Sequence, residues 1–292
     1  MDISKCTPYL TVKDHSISNE EFTLYRDESI DLVFTYPQPE ESKLAAYYES
    51  EDYISHTDGR RSLFEKAYQL VKQIALKNKL KYINNLQPTK GILLDIGAGT
   101  GDFLAIAKQD GWLTIGIEPN EKAQNIAKAK EVSLIENTAS LEDQSIDVIT
   151  MWHVLEHVPN VKNQIKELKR LLKPSGTIII AVPNFNSYDA KYYNSYWAAF
   201  DVPRHLWHFS KKSIKNLFER ENLHLIKVLP MLFDSFYVAL LSEKYKKGKM
   251  NFIKAFFVGL KSNLKGKSTG EYSSHIYIIK SHKKFNTFEN SI

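Results

Sequence analysis

The chain has 292 residues, 43% of them hydrophobic, and a formal net charge of +5, which together suit one or two globular domains with a sizeable core. It has no apolar run close to the ~18 residues of a membrane span, no signal-peptide core near its N-terminus, and one cysteine, Cys6, so an internal disulfide is excluded. These features predict a cytoplasmic protein.

The first 88 residues are expected to precede the main sheet as an N-terminal extension. A loose, polar and extended region is predicted up to the Pro-rich run at 36–42, which reads YPQPEES and is typical of a turn or linker. Helices are predicted over residues 44–49 and 61–86. The sheet itself is predicted to begin near residue 90.

Residues 92–101, ILLDIGAGTG, predict a strand, a glycine loop and the start of a helix. The apolar run that ends around Asp95 is typical of a buried parallel strand. Gly97, Gly99 and Gly101 allow a sharp turn and a close approach of the backbone to a ligand. Asp102 then suits the positive end of a helix. This arrangement is the nucleotide-binding corner of an open α/β sheet.

The spacing of the glycines disfavours a dinucleotide cofactor. A dinucleotide fingerprint requires G-x-G-x-x-G, but here the third glycine comes one residue early. Asp102 occupies the required position, and its carboxylate would repel a diphosphate. The lysine of a phosphate-binding loop is also missing. An acidic residue before the glycines, Asp95, instead suits a cationic ligand such as an amino group or a sulfonium.

Strands and helices alternate through the rest of the chain at the rhythm of a parallel sheet with right-handed crossovers. The second strand ends at Glu118, where an acidic residue can accept hydrogen bonds from ribose hydroxyls. Further strands are predicted at 132–135, 146–151, 177–182 and 224–230. A helical hairpin is predicted at about 231–270, and a last strand at 275–280.

Four segments in this order, LLDIGAGTGDFL, IGIEPN, DVITMWHVLEHV and LLKPSGTIIIAVPN, resemble class I S-adenosylmethionine-dependent methyltransferases. They cover about residues 90–185. The nearest branch includes ubiquinone-biosynthesis O-methyltransferases and bacterial natural-product and polysaccharide-cluster methyltransferases. The resemblance implies a doubly wound, Rossmann-like seven-stranded sheet of order 3-2-1-4-5-7-6 with the last strand antiparallel. The methyltransferase domain would span 89–292, with the hairpin inserted between strands six and seven.

The resemblance also implies that part of residues 1–88 forms a helical lid over the cofactor. A lid would exclude water from a reactive sulfonium. The same stretch could instead cap the long helix and serve as a packing surface. The residues concerned form a polar-aromatic cluster that contains Tyr47, Tyr48, Tyr53 and His56.

The cofactor-binding residues follow from the resemblance. Asp95 and the glycine loop would hold the methionine end of S-adenosyl-L-methionine, and Glu118 would bind the ribose. Residues 139–141 would flank the adenine edge, although Asn137 stands where relatives often have an acidic residue. The full set is Asp95, Gly97, Ala98, Gly99, Gly101, Glu118, Pro119, Ser140, Leu141 and Trp152. The expected product is S-adenosyl-L-homocysteine.

The acceptor is expected to bind over the carboxyl ends of the strands, as ligands do in open α/β sheets. Segment 192–209 should lie there, and its aromatic composition suits a flat or sugar-like acceptor. It is expected to line a cavity shared with Asp95 and Trp152, unless its aromatic residues merely pack on the sheet. Arg204 would bind an acidic group of the acceptor or pair with Asp201. The predicted substrate-binding residues are His157, Tyr192, Tyr196, Trp197, Arg204 and His208.

Histidine is the expected general base, because its ordinary pKa suits proton transfer near neutrality. His205 is the first choice, since it lies in the aromatic segment beside Arg204. His153, which follows the fourth strand, is the second choice. His153 and His157 have the i, i+4 spacing of a zinc-binding pair, but the sequence offers no third ligand. No metal is therefore expected.

Eight lysines lie between residues 244 and 267, interleaved with apolar residues. The favoured interpretation is an amphipathic helix packed on the domain with a solvated basic face. Contact with an anionic membrane surface is the alternative. Nucleic acid is not expected, because no binding motif for it is present.

The predicted function is methyl transfer to a small-molecule acceptor, at a hydroxyl. Methylation of carbon or nitrogen on a sugar or secondary metabolite stays open. So does a non-catalytic protein that keeps the fold and binds a partner, although Asp95, Gly99 and Glu118 would then serve no purpose. The oligomeric state is not predicted.

Overall fold

Two β-sheets organise the protein. The computed structural model describes residues 2–40, 43, 47 and 63–281. The strands are β1 (Thr7–Lys13), β2 (Glu21–Asp27), β3 (Leu32–Tyr36), β4 (Ile92–Ile96), β5 (Leu113–Ile117), β6 (Leu134–Ile135), β7 (Ile146–Trp152), β8 (Leu172–Pro183), β9 (Trp207–His208), β10 (His224–Pro230) and β11 (Ser274–Lys280). The helices are α1 (Leu63–Leu86), α2 (Asp102–Gln109), α3 (Glu121–Ala129), α4 (Val161–Leu171), α5 (Tyr188–Tyr193), α6 (Lys211–Glu219), α7 (Asp234–Lys247) and α8 (Phe252–Thr269).

The larger sheet has seven strands in the order β10-β11-β8-β7-β4-β5-β6. Its strands β4 to β8 pair in parallel, whereas β11 pairs antiparallel with both β8 and β10. This confirms the predicted order and the antiparallel last strand. The central strands are buried apolar runs because helices cover both faces. Strand β6, which was predicted over residues 132–135, is shorter than predicted and has two residues.

Strand register brings the candidate site residues to one edge of this sheet. Asp95 of β4 lies opposite Gly116 of β5 and Thr150 of β7. The glycine loop, Glu118 and Trp152 each come one or two residues after those positions. The carboxyl ends of the parallel strands therefore carry the residues that the sequence placed in the cofactor site.

The N-terminal region differs from the expected loose segment. Residues 7–36 form three antiparallel strands, and β9 adds a fourth strand to them. The reason lies in the alternation of β2, whose Phe22 and Leu24 point into a core while their neighbours are more exposed. The segment between β8 and α6 therefore lies beneath the N-terminal sheet, paired to it through Phe34 and Trp207.

The predicted helix over 61–86 agrees with α1 in the part that is described. The predicted helix over 44–49, and Tyr48, Tyr53 and His56 of the expected lid, lie outside the described residues. Among the helices that the structure does describe, none is long and apolar enough to cross a membrane.

Arg204 links the N-terminal sheet to segment 192–209. Its guanidinium lies 3.0 Å from Asp14 Oδ1 and 2.7 Å from Asp201 Oδ1, and it also donates to the carbonyl of Tyr47. The side chains of Arg204 and Asp14 are almost completely buried. Of the two predicted roles for Arg204, the structure thus favours pairing with Asp201, extended to Asp14, over binding an acceptor.

Replacing Arg204 should strongly destabilise the fold. Arg204→Met would leave the buried carboxylate of Asp14 without its cation, which typically costs about 3–5 kcal/mol. Urea unfolding measures this loss. The matched control Arg220→Met removes an exposed arginine and should stay within about 0.5 kcal/mol of the parent. Equal, small effects of both substitutions would contradict the structural role of Arg204.

Candidate active site

The glycine loop after β4 is built for close approach of a ligand. Gly97, Gly99 and Gly101 have φ angles of +75°, +54° and +75°, a region that favours glycine. A Cβ atom on Gly97 would lie 2.3 Å from the side chain of Val154, and one on Gly101 would lie 2.9 Å from Ala127. A Cβ atom on Gly99 would meet nothing within 4 Å. The outer glycines therefore allow internal packing, whereas Gly99 borders open space that a cofactor can fill.

Glu118 fixes the loop and faces the same space. Its Oε2 accepts a hydrogen bond from the Gly99 amide at 2.8 Å, and its Oε1 accepts one from the Asn120 amide at 2.8 Å. A carboxylate oxygen has two lone pairs, so each oxygen can also accept a ribose hydroxyl. Pro119 follows directly and is exposed.

Asp95 is buried at the end of β4 and accepts a hydrogen bond from the Thr150 hydroxyl. Burial raises the pKa of Asp95 to about 7, and the hydrogen bond and the nearby Lys79 offset the effect of burial only in part. The carboxylate therefore lacks a full counter-charge. A cationic ligand would supply one, which fits the amino group of S-adenosyl-L-methionine.

Lys79 is a site residue that the sequence did not single out. It comes from α1, and its Nζ lies 4.4 Å from the ring centre of Trp152 and 5.9 Å from that of Phe103. Burial lowers the pKa of Lys79, although Asp95 and Asp234 act to raise it. A partly buried ammonium beside the loop suits a carboxylate group of the ligand. Only the contact of α1 with the sheet reveals this placement.

Asp102 opens α2 as expected, and its carboxylate accepts a hydrogen bond from the Thr100 hydroxyl of the loop at 2.9 Å. Its carboxylate lies 2.7 Å from Lys72 of α1 and 2.7 Å from Lys130. Although burial opposes ionisation, the hydrogen bonds from these lysines lower the pKa of Asp102. Asp102 therefore ties α1 to the glycine loop.

The predicted adenine flank is a single 3₁₀ turn, Thr138–Ser140, followed by Leu141. Arg170 of α4 holds this turn by donating to the carbonyl oxygens of Leu141 and Thr138, at 3.0 and 3.2 Å. Ser140 is exposed and Leu141 is partly buried. The turn follows β6, so it lies on the same edge of the sheet as Glu118.

Trp152 lies at the carboxyl end of β7, between α1 and α2. Its indole Nε1 is buried and finds no hydrogen-bond partner in the described part of the chain. An unpaired buried donor is costly unless a ligand or water satisfies it. Together with the open space at Gly99 and the carboxylates of Asp95 and Glu118, this donor fits the cofactor that the resemblance implies.

His153 follows Trp152 and is held between two carboxylates. Its Nε2 lies 3.0 Å from Asp234 at the start of α7, and its Nδ1 lies 3.4 Å from Glu156. Burial works against the charged ring, but Asp234 and Glu156 raise the pKa of His153 to about 10. An imidazolium at neutral pH cannot accept a proton. This is a correction to the second choice of general base, and Asp234 explains it.

Glu156, His157 and His205 form the second cluster at this edge. Their ligand-type atoms all lie within 4.8 Å of one another. The Nδ1 atoms of His157 and His205 lie 3.0 Å and 2.9 Å from the backbone oxygens of Arg204 and Ala199. Because these backbone oxygens can only accept, each Nδ1 carries the proton that it donates to them.

The carboxylate of Glu156 is almost fully buried. Its Oε1 forms the ion pair with His153, and its Oε2 has no hydrogen-bond partner within the described residues. Although burial favours its neutral form, His153 and His205 hold the pKa of Glu156 below its usual range. Burial and His205 lower the pKa of His157 to about 4, so its ring is neutral. The cluster combines an ionised carboxylate with imidazole nitrogen.

The sequence offered no third metal ligand beside His153 and His157, but the structure gives His157 two other potential co-ligands. The structure brings His205 to His157, with ring centres 4.6 Å apart, and Glu156 completes a set that could hold a metal ion. His153 is not part of that set, because Asp234 and Glu156 engage it.

Three predicted substrate residues are buried among protein partners, contrary to expectation. Trp197 donates from Nε1 to Asp189 at 2.7 Å, and Arg204 is engaged as described above. The Nε2 atom of His208 lies 3.0 Å from the Thr35 hydroxyl, and burial holds the pKa of His208 well below its ordinary value. The N-terminal sheet covers this side of the segment, so the cavity that Trp197 and Arg204 line is bordered by that sheet and not by Asp95 or Trp152.

The other two predicted substrate residues of segment 192–209, Tyr192 and Tyr196, are partly exposed and contact other partners. Tyr192 lies 5.8 Å from Lys246, and Tyr196 stacks on His15. A cavity that borders the segment is lined by Trp197, Val202 and residues of the N-terminal sheet, not by Asp95 or Trp152. Of the segment, His205 is the predicted residue that reaches the cluster with His157.

Comparison with known proteins agrees with this geometry. A family model described as "Methyltransferase domain" matches residues 63–228. A ubiquinone biosynthesis O-methyltransferase of Coxiella burnetii is 30% identical over 118 residues, which cover 37% of this chain and 50% of that protein. The chain thus spans about half the length of the curated relatives it matches.

Solved structures share the fold at low identity. Geranyl diphosphate C-methyltransferase of Streptomyces coelicolor A3(2) has a TM-score of 0.54 and 12% identity, covering 84% of this chain and 99% of that chain. Phosphoethanolamine N-methyltransferase 2 of Haemonchus contortus has a TM-score of 0.53 and 16% identity, covering 86% and 62%. With the family match across more than half of its residues, the glycine loop and the strand order, the chain belongs to the class I S-adenosylmethionine-dependent methyltransferases.

Proposed function

We propose that the protein transfers a methyl group from S-adenosyl-L-methionine to a hydroxyl of a small-molecule acceptor. The observation that carries this proposal is the cluster of Glu156, His157 and His205 beside the cofactor edge of the sheet. It offers a proton acceptor where the family's chemistry needs one, at the carboxyl ends of the strands.

The residues that would hold the cofactor lie in three groups. Asp95 would pair with its amino group and Lys79 with its carboxylate. Gly99 would let its backbone approach, and Glu118 would accept its ribose hydroxyls. When bound, the cofactor supplies an activated methyl group, so the protein contributes mainly position and proton transfer.

His205 is proposed as the general base or as the hydrogen-bond anchor of the acceptor. Its Nδ1 donates to the Ala199 carbonyl, which orients the ring. Its Nε2, which lies 3.9 Å from Asp201 Oδ2, is the atom proposed to accept a hydroxyl proton. The Thr35 hydroxyl, which donates to the His205 carbonyl at 2.7 Å, holds the same residue from the N-terminal sheet. His153, as an imidazolium, is proposed to hold Glu156 and Asp234 in place.

Methylation of an amine is the second candidate. The observation in its favour is the buried carboxylate of Glu156, whose Oε1 pairs with His153 but whose Oε2 has no hydrogen-bond partner within the described residues. A cationic amine would satisfy it. Turnover of paired acceptors that differ only in carrying a hydroxyl or an amine separates the two candidates.

Glu118 and Gly99 should be required for cofactor binding. Glu118→Ala should weaken binding of S-adenosyl-L-homocysteine by roughly 1.5–3 kcal/mol, as expected for lost charged hydrogen bonds. Gly99→Val should weaken it further, because the side chain would enter the open space at the loop. Calorimetry measures both, with Glu121→Ala as an exposed control on the neighbouring helix. Binding of NAD in place of S-adenosyl-L-homocysteine would overturn the cofactor assignment.

Asp95 should make cofactor binding depend on pH. The pKa of Asp95 is about 7 in the folded protein, against 3.8 for an ordinary aspartate. Folding therefore favours the neutral carboxyl group, and the stability that this preference contributes is lost as the pH rises from about 4 through 7. Binding of a cationic ligand needs the ionised form and should strengthen up to about tenfold between pH 6 and 8.

Asp95→Asn separates these two effects. The variant should resist urea better than the parent at pH 8, because it carries no uncompensated charge, yet bind S-adenosyl-L-homocysteine weakly at every pH. Calorimetry and urea unfolding at pH 6, 7 and 8 provide the comparison. If the variant kept the parent's pH-dependent binding, Asp95 would not face the cofactor.

His205→Ala should lower turnover by about 10²–10⁴-fold, the usual contribution of a positioned base, with cofactor affinity nearly unchanged. His15→Ala, on the N-terminal sheet, is the matched histidine control. If His205→Ala kept the turnover of the parent at every pH, His205 would not act as a base, and catalysis would come from positioning of the acceptor and the methyl group alone.

A chelator decides between direct proton transfer and a metal at the same cluster. If His205 accepts the proton directly, turnover should survive dialysis against EDTA. The opposite result is that EDTA abolishes turnover, that a divalent metal restores it in the parent, and that the metal fails to restore it in Glu156→Gln. That result would instead assign Glu156, His157 and His205 as metal ligands.

A further inference from the structure

Helix α8 packs with its smallest residues inward. The face toward the protein consists of Ala255, Val258, Gly259, Ser262 and Gly266. A Cβ atom on Gly259 would lie 2.8 Å from the ring of Phe236 in α7, and one on Gly266 would lie 2.6 Å from Tyr272. At these two glycines, helix α8 lies too close to its neighbours for a side chain to fit beneath it.

The large apolar side chains of α8 point outward instead. Their spacing of three or four residues places them on one face of the helix. Their exposed fractions run from 38% to 74%, and they are Phe252, Ile253, Phe256, Phe257, Leu260 and Leu264. The sequence had favoured an amphipathic helix whose apolar face packs on the domain. In the structure, the large apolar side chains of α8 face outward instead. A contiguous exposed apolar face of this kind is typical of a binding surface.

The exposed charges of the same hairpin are basic. Residues 235–270 contain eight lysines and one acidic residue, Glu243. Glu243 is buried and pairs with Lys254 and Tyr193, so it does not offset the others. Lys246, Lys247 and Lys249 lie exposed at the tip of the hairpin, and Lys261 and Lys265 lie exposed along α8.

We propose that this face of the α7–α8 hairpin, defined by the six exposed apolar residues and the exposed lysines, docks on an anionic lipid bilayer. Aromatic and aliphatic side chains beside lysines are the composition of a helix that lies in the membrane interface. Anionic headgroups complement the lysines, and each lysine near the surface strengthens binding. A second copy of the chain fits less well, because a two-fold contact would bring two basic faces together.

The position of the hairpin gives this docking a consequence. Helix α7 starts at Asp234, which contacts His153 beside the acceptor cluster. Exposed Leu232 and Phe233 continue the apolar surface toward that point. A bilayer on this face would therefore lie next to the start of α7, which contacts the proposed acceptor cluster through His153.

Sedimentation with vesicles tests the proposal on the full-length protein. Vesicles of phosphatidylcholine with 30% phosphatidylglycerol should bind the protein, and vesicles of phosphatidylcholine alone should bind it weakly. The triple variant Lys246→Gln, Lys247→Gln, Lys249→Gln should weaken binding by about 100-fold at low salt. The triple variant Ile253→Ser, Phe256→Ser, Phe257→Ser should weaken it at least ~10-fold.

Matched controls alter the same residue types elsewhere. Lys162→Gln, Lys166→Gln, Lys169→Gln removes three exposed lysines of α4, and Leu70→Ser with Leu113→Ser removes exposed apolar residues of α1 and β5. Both should bind like the parent. All variants change exposed side chains, and an unchanged melting temperature confirms that they fold.

Three results would overturn the proposal. One is absence of binding to anionic vesicles. The second is binding that the control variants reduce as much as the hairpin variants do. The third is a stable dimer, found by analytical ultracentrifugation, that the Ile253, Phe256 and Phe257 variant dissociates, because the face would then serve a second copy of the chain. None of these outcomes depends on methyl transfer, so the test is independent of the proposed activity.

Discussion

A carboxylate buried at the centre of a parallel sheet is the constraint on which the site depends. Asp95 lies between β5 and β7, one residue before the pairing of β4 with both strands ends at Ile96. Thr150 supplies one hydrogen bond, and Lys79 supplies a cation from outside the sheet. Such a group raises the free energy of the empty protein, and a cationic ligand recovers part of that cost. Stability and binding therefore oppose each other at this position.

The acceptor side depends on a different kind of support. His205 lies on irregular backbone, which by itself would not hold a ring in one orientation. The N-terminal sheet supplies the missing rigidity through Thr35 and β9, and the buried pair of Arg204 and Asp14 fixes the adjoining turn. Reactive groups on loops gain precision in this way when neighbouring elements lock them.

The cofactor half was predictable because its signals are local. Ten consecutive residues, 92–101, contain the strand, the turn and Asp95, and the strand order follows from the family resemblance. The acceptor half was not predictable because its contacts join distant parts of the chain. Arg204 and Asp14 are 190 residues apart, and Thr35 and His208 are 173 residues apart. Composition also cannot distinguish an aromatic residue that lines a pocket, the role expected for Trp197, from one that packs in a core. His153 illustrates the same limit, since Asp234 of a later helix turns a candidate base into a cation.

The pairing of β3 with β9 has an evolutionary consequence. The matched family domain, residues 63–228, contains the glycine loop, Glu118, Glu156 and His205, but not Thr35, Asp14 or Asp234. The elements that orient the acceptor groups thus enter from both flanks of that domain. Exchange of either flank between relatives would reshape acceptor selectivity while the cofactor apparatus stayed intact. A cofactor-binding domain whose acceptor-side contacts come from the flanking segments offers one route by which a single fold comes to serve many substrates.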